Sequence, residues 1–490
     1  MFKKPTKKQF IIRRIILSTV ATAAVLIIVT ATILLMLGYR FDSGNGRLEQ
    51  GALLQFNSNP GDADVAIDGR SIGSRTATKQ TVLAGQHTIK ISKSGYQDWS
   101  RTIDLLAGTL TWLDYIRLVP ADRPVADVTT YKTLTNLTFS PDSKWAIAQE
   151  SATAPTYQLV DLRNEEVKSQ SISVPSRAFT TLTNKKTKQS FTTQAWDKSS
   201  RYVMIKHIYG DQVEWIVFDT QNVNETVNLT KLLSVDLTDV QFASSNGRIF
   251  YGLTQDGTIR KINSADETIS RALINQVDSF SIFDTSVLSY VGTDTADGSK
   301  KVAGVYRDGD ASPRVLRTAT AKNADLMITT GRYFSDSYVA IAEGNKVNIL
   351  KGSLPTSSTQ GTSSLKDFAS LQLPGTVSSL SFSPRSDYLL AQSSSSFATY
   401  EIEHLREASG TLNPDAKTPA APLQWLDTAY LWNDDRSQLT MRDFDNANVY
   451  DIMKVEAGFD ATLGLNGRFF YAVGKNDTGY HLQRVKMIIE

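Results

Sequence analysis

The sequence predicts a mainly β chain with one N-terminal transmembrane helix, a small antiparallel β-sandwich and then a seven- or eight-bladed β-propeller. Three observations predict it. An uncharged apolar run, Ile15–Leu37, comes after a basic tail; short segments with period-two alternation fill residues 52–119; and a strand–turn–strand unit recurs from residue 125 to the end.

At helical rise, Ile15–Leu37 covers about 34 Å against a hydrocarbon core of about 30 Å, long enough to span a bilayer. Ser18, Thr19, Thr22, Thr30 and Thr32 do not spoil the span, because a hydroxyl in a helix can bond back to the carbonyl one turn earlier. The tail, residues 1–14, holds Lys3, Lys4, Lys7, Lys8, Arg13 and Arg14 and no acid, so the positive-inside rule keeps it in the cytoplasm and exports the chain beyond Leu37. A cleavable signal peptide would have an apolar core of about 7–15 residues ending in a small-x-small site. Here Ala21-Thr22-Ala23 lies inside the run, and Gly38-Tyr39-Arg40-Phe41 comes after Leu37 with no such site. The reading is a single-pass signal anchor in the cell membrane, with the lipid bilayer as partner through residues 15–37 and an extracytoplasmic ectodomain.

Composition narrows the function. Cysteine is absent, which excludes disulfides, thiolate metal sites and cysteine nucleophiles together. The chain carries a net charge of +2, and without the six basic residues of the tail 46 bases face 50 acids, about −4. A near-neutral ectodomain lacks the basic face that nucleic acid requires. The basic tail fits orientation and contact with anionic lipid.

After the anchor, Ala52–Phe56 reads as a strand and Asn57-Ser58-Asn59-Pro60-Gly61-Asp62 as a turn cluster. Ala63–Ile67 alternates and closes with the hairpin signal Asp68-Gly69; His87–Ser92 alternates again between Gly85 and Gly95; Trp99–Leu105 and Thr109–Leu118 make a last strand pair. The run Asn59-Pro60-Gly61-Asp62-Ala63-Asp64-Val65-Ala66-Ile67-Asp68-Gly69, with Gly73, Gly85-Gln86-His87 and Ser94-Gly95-Tyr96 after it, resembles the PEGA domain, a β module of prokaryotic surface and envelope proteins. Asp62 stands where that family often has Gly or Glu, and Thr76-Ala77 replaces its usual Thr-Pro; neither touches the alternation. The resemblance implies extracytoplasmic binding or spacing, without catalysis. Within this stretch Gly69-Arg70-Ser71-Ile72-Gly73 has the pattern of a hydrolase nucleophile elbow, but that motif needs a strand, a strained turn and a helix in a large α/β sheet. Ser71 lies between two β runs instead.

Pro120–Pro124 marks a boundary, and the repeat occupies 125–490. Leu137-Thr138-Phe139-Ser140-Pro141-Asp142-Ser143-Lys144-Trp145-Ala146-Ile147-Ala148 and Leu380-Ser381-Phe382-Ser383-Pro384-Arg385-Ser386-Asp387-Tyr388-Leu389-Leu390-Ala391 are its clearest copies. Weaker ones lie at Gln194–Met204, Val240–Tyr251, Phe280–Val291, Gly331–Ala342, Leu423–Trp432 and Leu463–Val473, and a further strand comes after each hairpin. The mean period of about 46 fits a four-stranded propeller blade. The repeats resemble the Phe-Ser-Pro-Asp copies of the Tol-system periplasmic propeller and other WD-repeat-like propellers. Ring closure is expected to combine Val125–Thr133 with the final strands, and Gly352–Lys366 and Asn413–Pro422, rich in Ser, Thr, Gly and Pro, are expected as loops.

Chemistry is sparse. His87, His207, His404 and His481 show no metal-ligand spacing. Asp443-Phe444-Asp445-Asn446-Ala447-Asn448 begins like a calcium loop but lacks its glycine and closing Glu, so it reads as turn chemistry, as do Asp308-Gly309-Asp310 and Asp434-Asp435. No phosphate or dinucleotide fingerprint occurs. Trp145, Trp196, Trp215 and Trp425 are expected in blade cores, with Trp99 and Trp112 in the PEGA-like sheet. No catalytic, cofactor-binding or metal residue is expected, and no cofactor. The functional expectation is a non-catalytic, membrane-anchored envelope protein whose propeller binds a protein or cell-wall glycan, with the PEGA-like domain as spacer or binding module. The alternative is a propeller-type glycan lyase or hydrolase at the cell surface.

Overall fold

A computed structural model describes residues 7–36, 38–42, 47–184, 186–322, 324–354, 364–412 and 420–489. The chain forms two compact units, Met1–Asp122 and Arg123–Glu490. Most of the two Ser/Thr/Gly/Pro-rich stretches expected as loops lies outside the described residues.

In the first unit the helix α1 runs Lys7–Met36, beginning before the apolar run because Lys and Arg are good helix formers that tolerate the first turns. Its stretch Ile11–Met36 is long and apolar enough to cross a membrane, and no side of it is buried by protein. The hydroxyls of Ser18 and Thr19 donate to the Ile15 carbonyl, Thr22 to Ser18 and Thr32 to Ile28, at 2.8–2.9 Å, so these polar groups are satisfied inside the helix.

Two four-stranded sheets come next. One joins Tyr39–Asp42, Arg47–Asn59, Thr78–Leu83 and Leu110–Arg117; the other joins Arg70–Arg75, Asp64–Ile67, Gly85–Ser92 and Trp99–Leu105. Their inner faces share one core that includes Leu54, Phe56, Val65, Ile89, Ile91, Trp99 and Leu113. The sandwich departs from the all-antiparallel expectation in one ladder. Arg47–Asn59 and Leu110–Arg117 pair in parallel, because the chain crosses through the second sheet before returning to the first.

The second unit contains eight four-stranded sheets among the described residues, which decides between seven and eight blades. They comprise residues 136–173, 189–228, 237–269, 277–318, 326–372, 379–411 and 424–454, and an eighth built from Thr462–Gly464, Phe469–Asn476, Gly479–Lys486 and Val125–Tyr131. One blade cannot cover both of its faces, so the cores form between neighbours. Ile147 and Tyr157 of blade one pack with Phe191 and Phe218 of blade two, Trp215 of blade two with Val240 and Phe250 of blade three, and so on. The ring closes where Val125–Tyr131 pairs antiparallel with Gly479–Lys486, and Tyr131, Leu482 and Tyr471 share a cluster with Leu137 and Phe139 of blade one.

Of the tryptophans expected in blade cores, only Trp215 is fully buried. Trp145, Trp196 and Trp425 are half-buried at blade edges, where Trp196 and Trp425 donate their indole N–H to Thr138 and Ser381 at 3.1 Å and Arg163 stacks 4.5 Å over Trp145. Their size and polar tip suit a seam between blades better than its interior.

Phe334 opens the two-residue turn between Leu326–Tyr333 and Asp336–Glu343 with φ +51°, while its side chain is 83% exposed. A bulky L-residue there pays for a left-handed backbone and gains no burial. Phe334→Gly is therefore expected to stabilise the propeller by about 1 kcal/mol, seen as a rise in Tm. An unchanged or lower Tm would show that the exposed ring makes up the strain elsewhere.

Candidate functional site

One face of the ring carries the turns between second and third strands together with the blade-to-blade connections. On it, residues 174–188 lead from blade one into blade two, whose strands Tyr202–Tyr209 and Gln212–Asp219 meet in the tight turn Gly210-Asp211. Gly210 takes φ +55°, which this two-residue turn requires. The turn fixes the register, so His207 stands opposite Glu214 and Phe191 of the first strand opposite His207.

His207 and Glu214 are both buried. The imidazole stacks flat on Phe191 at 4.1 Å and on Tyr209 at 4.9 Å, with the edge of Phe179 5.7 Å away. Its Nδ1 donates to Glu214 Oε2 at 2.9 Å, which sets the tautomer, and its Nε2 lies 3.4 Å from Gln189 Oε1. Glu214 also accepts from the Thr180 N–H at 2.9 Å and the Thr180 hydroxyl at 2.6 Å, and Lys231 Nζ stands 3.7 Å from it. Burial alone would push this carboxyl up. The bonds from His207 and Thr180 and the nearby Lys231 charge outweigh it and hold the group down at about 2, a fixed carboxylate at neutral pH.

Gln189 is half-buried; its amide N–H donates to the Thr153 carbonyl at 3.1 Å, and it lines a cleft of about 1000 Å³ together with Thr153, Leu182, Thr187, Lys188 and Ile208. The order from interior to cleft is Glu214, His207, Gln189. Such a line can hold a proton: Nδ1–H and, when the ring is protonated, Nε2–H each face an acceptor oxygen, Glu214 Oε2 and Gln189 Oε1. A second cleft of about 470 Å³ on the same face is lined by Asp236, Asp256 and Arg260.

The other groups singled out in the sequence stay apart. His87 bonds to Asp68 at 2.7 Å in the first unit, His404 to Glu401 at 2.7 Å in blade six, and His481 lies 3.2 Å from Asp127 in blade eight. Among the described residues no three His, Asp or Glu side chains gather as a metal site. Asp443 is buried and accepts from the backbone N–H and side-chain amide of Asn448 at 3.0 and 2.7 Å, closing a blade turn; burial and the neighbouring Asp445 raise its carboxyl to about 7. Ser71 is exposed, and its Oγ accepts from the Gly73 N–H at 3.2 Å within a hairpin strand, not an elbow.

Residues 52–121 match the PEGA domain family, in keeping with the resemblance of the motif there. Residues 165–283 match the Peptidase A4 family. No curated protein matches the chain. Among solved structures, the β-propeller domain of Myceliophteria thermophila Cps50 (Swd1) aligns at TM-score 0.38 and 12% identity over 75% of this chain and 100% of that one. Oligogalacturonate lyase VPA0088 from Vibrio parahaemolyticus aligns at 0.39 and 8% over 75% and 98%.

The peptidase match overturns the expectation that the chain is not an enzyme. Its span runs from the end of blade one into blade four and contains Thr180, Gln189, His207 and Glu214. Sequence reasoning missed this group because it looked for neighbours along the chain, whereas these residues meet across strands. A signal was present: His207 and Glu214 are equally far from the Gly210-Asp211 turn, so a two-residue hairpin must pair them.

Proposed function

We propose that this chain is a single-pass membrane protein whose propeller, held outside the cytoplasm, binds and cleaves polypeptide chains at the blade-two cleft. The observation that carries the reading is the coincidence of the peptidase match with a buried carboxylate–imidazole pair that reaches a cleft through Gln189, which lines it. The basic tail 1–14 and the apolar run from Ile15 support a cytoplasmic N-terminus. The PEGA domain then acts as spacer or as a second binding module.

In this reading Glu214 holds the Nδ1 proton of His207, and once Gln189 Oε1 moves off Nε2 the neutral ring offers that nitrogen's lone pair to water. Rotation of the Gln189 side chain admits that water from the cleft. Nε2 takes one of its protons as oxygen attacks the peptide carbonyl; the C–N bond breaks, and the imidazolium returns the proton to the departing amine. Hydrolysis needs no other reactant.

The test is incubation of the full chain in detergent with fluorescein-labelled casein. Fragments should appear, and His207→Asn should slow their release at least about 100-fold, the usual weight of a positioned general base. No cleavage, or equal cleavage by the variant, would sink the proposal.

A further inference from the structure

In the first unit the chain leaves α1 at Met36, and the carbonyl of Gly38 accepts from the N–H of Gly51 at 2.9 Å. The carbonyl of Gly51 accepts in turn from the N–H of Gly108 at 3.0 Å, and the Leu53 N–H bonds to the Thr109 carbonyl at 2.9 Å. The turn 106–109 therefore lies two strand spacings, about 10 Å, from the end of the membrane helix. Gly51 sits so tightly in this row that an added Cβ would come within 2.6 Å of the Val82 carbonyl. The turn is thus tied to the point where the helix ends.

The side chains at this place are apolar and face outward. Leu106 is 66% exposed, and Leu110 and Trp112 are each 54% exposed, beside the exposed Ala107. Outside the membrane helix, these are the large exposed apolar groups of the PEGA domain among the described residues. The strand Leu110–Arg117 runs parallel to Leu53–Asn59, away from the row of Gly38, Gly51 and Gly108, while the hairpin of Tyr39–Asp42 with Arg47–Gln50 extends to the opposite side of that row. Alternate residues share its outer face, so Leu110, Trp112 and the exposed Asp114 succeed one another outward, with Asp114 about 13 Å beyond Leu110. Trp112 thus stands beside exposed aliphatic groups close to the end of α1, and tryptophan concentrates at the membrane–water interface.

We infer that Leu106, Leu110 and Trp112 insert into the outer interface of the bilayer that α1 crosses, giving the PEGA domain a second hold on lipid. The inference rests on the reading of α1 as a membrane anchor, independently of what the propeller does. The contact fixes the domain against the membrane surface and removes its freedom to swing on the helix end.

The chain has no cysteine, so single cysteines can be placed and labelled without background. Full-length Leu110→Cys, Ser94→Cys and Val25→Cys are labelled with nitrobenzoxadiazole and reconstituted into vesicles of phosphatidylcholine and phosphatidylglycerol, with doxyl lipids as quenchers. Ser94 is exposed, in the turn that closes the end of the strand leading away from α1. Position 110 should emit to the blue of position 94 and be quenched severalfold more by shallow doxyl lipid, and position 25 should be quenched by deep doxyl lipid. Quenching at 25 with a water-like label at 110 overturns the inference, as does a shielded label at 110 that doxyl lipid does not quench, since protein then covers the patch. Loss of quenching at 25 overturns the anchor itself.

Discussion

Glu214→Ala is expected to lower the unfolding free energy of the propeller by about 3–5 kcal/mol, because it removes the acceptor of three donors in a buried site. The imidazole N–H of His207 and both donors of Thr180 would be left without their partner. The same carboxylate makes stability depend on acid. Its folded value is about 2 against an ordinary 4.5, so the folded state holds the anionic form more firmly than the unfolded chain does. The resulting contribution, about 3 kcal/mol, is present above roughly pH 4.5 and lost as pH falls toward 2. Urea midpoints measured across that window should drop in the native chain and stay flatter in the variant. Parallel curves for the two proteins would contradict the assignment.

Leu482→Ala, at the ring closure, should cost about 2–5 kcal/mol, the range for emptying a tightly packed leucine site. Leu482 is completely buried on the closing strand, against Tyr131 from the start of the propeller and Val473 from its end. The loss should fall on the propeller transition alone. The PEGA domain has its own core, so its denaturation midpoint should not move. A shift of both transitions together would show that the two units unfold as one.

The inner part of each blade could be read from the sequence because its middle strands are buried on both faces and form short apolar runs beside a polar turn. Leu137–Phe139 and Leu380–Phe382 carry the pattern openly, and even the degenerate copies near Phe280 and Leu463 keep two apolar strands around a polar turn. The outer strands were not legible. Lys168–Ser173 is almost wholly exposed, Thr268–Ile269 has only two residues, and Arg406–Thr411 alternates without a large apolar side chain, so no burial disciplines their composition. The parallel ladder of the PEGA domain was hidden for another reason: period two reports which face a residue takes, not which strand lies beside it. In the site, His207 looked isolated because Phe179, Gln189 and Glu214 reach it from two other strands and a connection, and Thr180 of that connection bonds Glu214. Glu214 in particular sits in an apolar-looking strand, where only its partners reveal why a carboxylate is tolerated.

The closing ladder also sets an order of events. Thr130 meets His481 351 positions later, so the first strand of the propeller to be made has no partner until nearly the last residues arrive. A chain made from its N-terminus must hold seven blades as an open arc until then, with an unpaired edge at one end and an uncovered blade face at the other. Completion of the ring is therefore tied to synthesis of this closing strand, and a chain cut short before Gly479 stays open however well its earlier blades have formed.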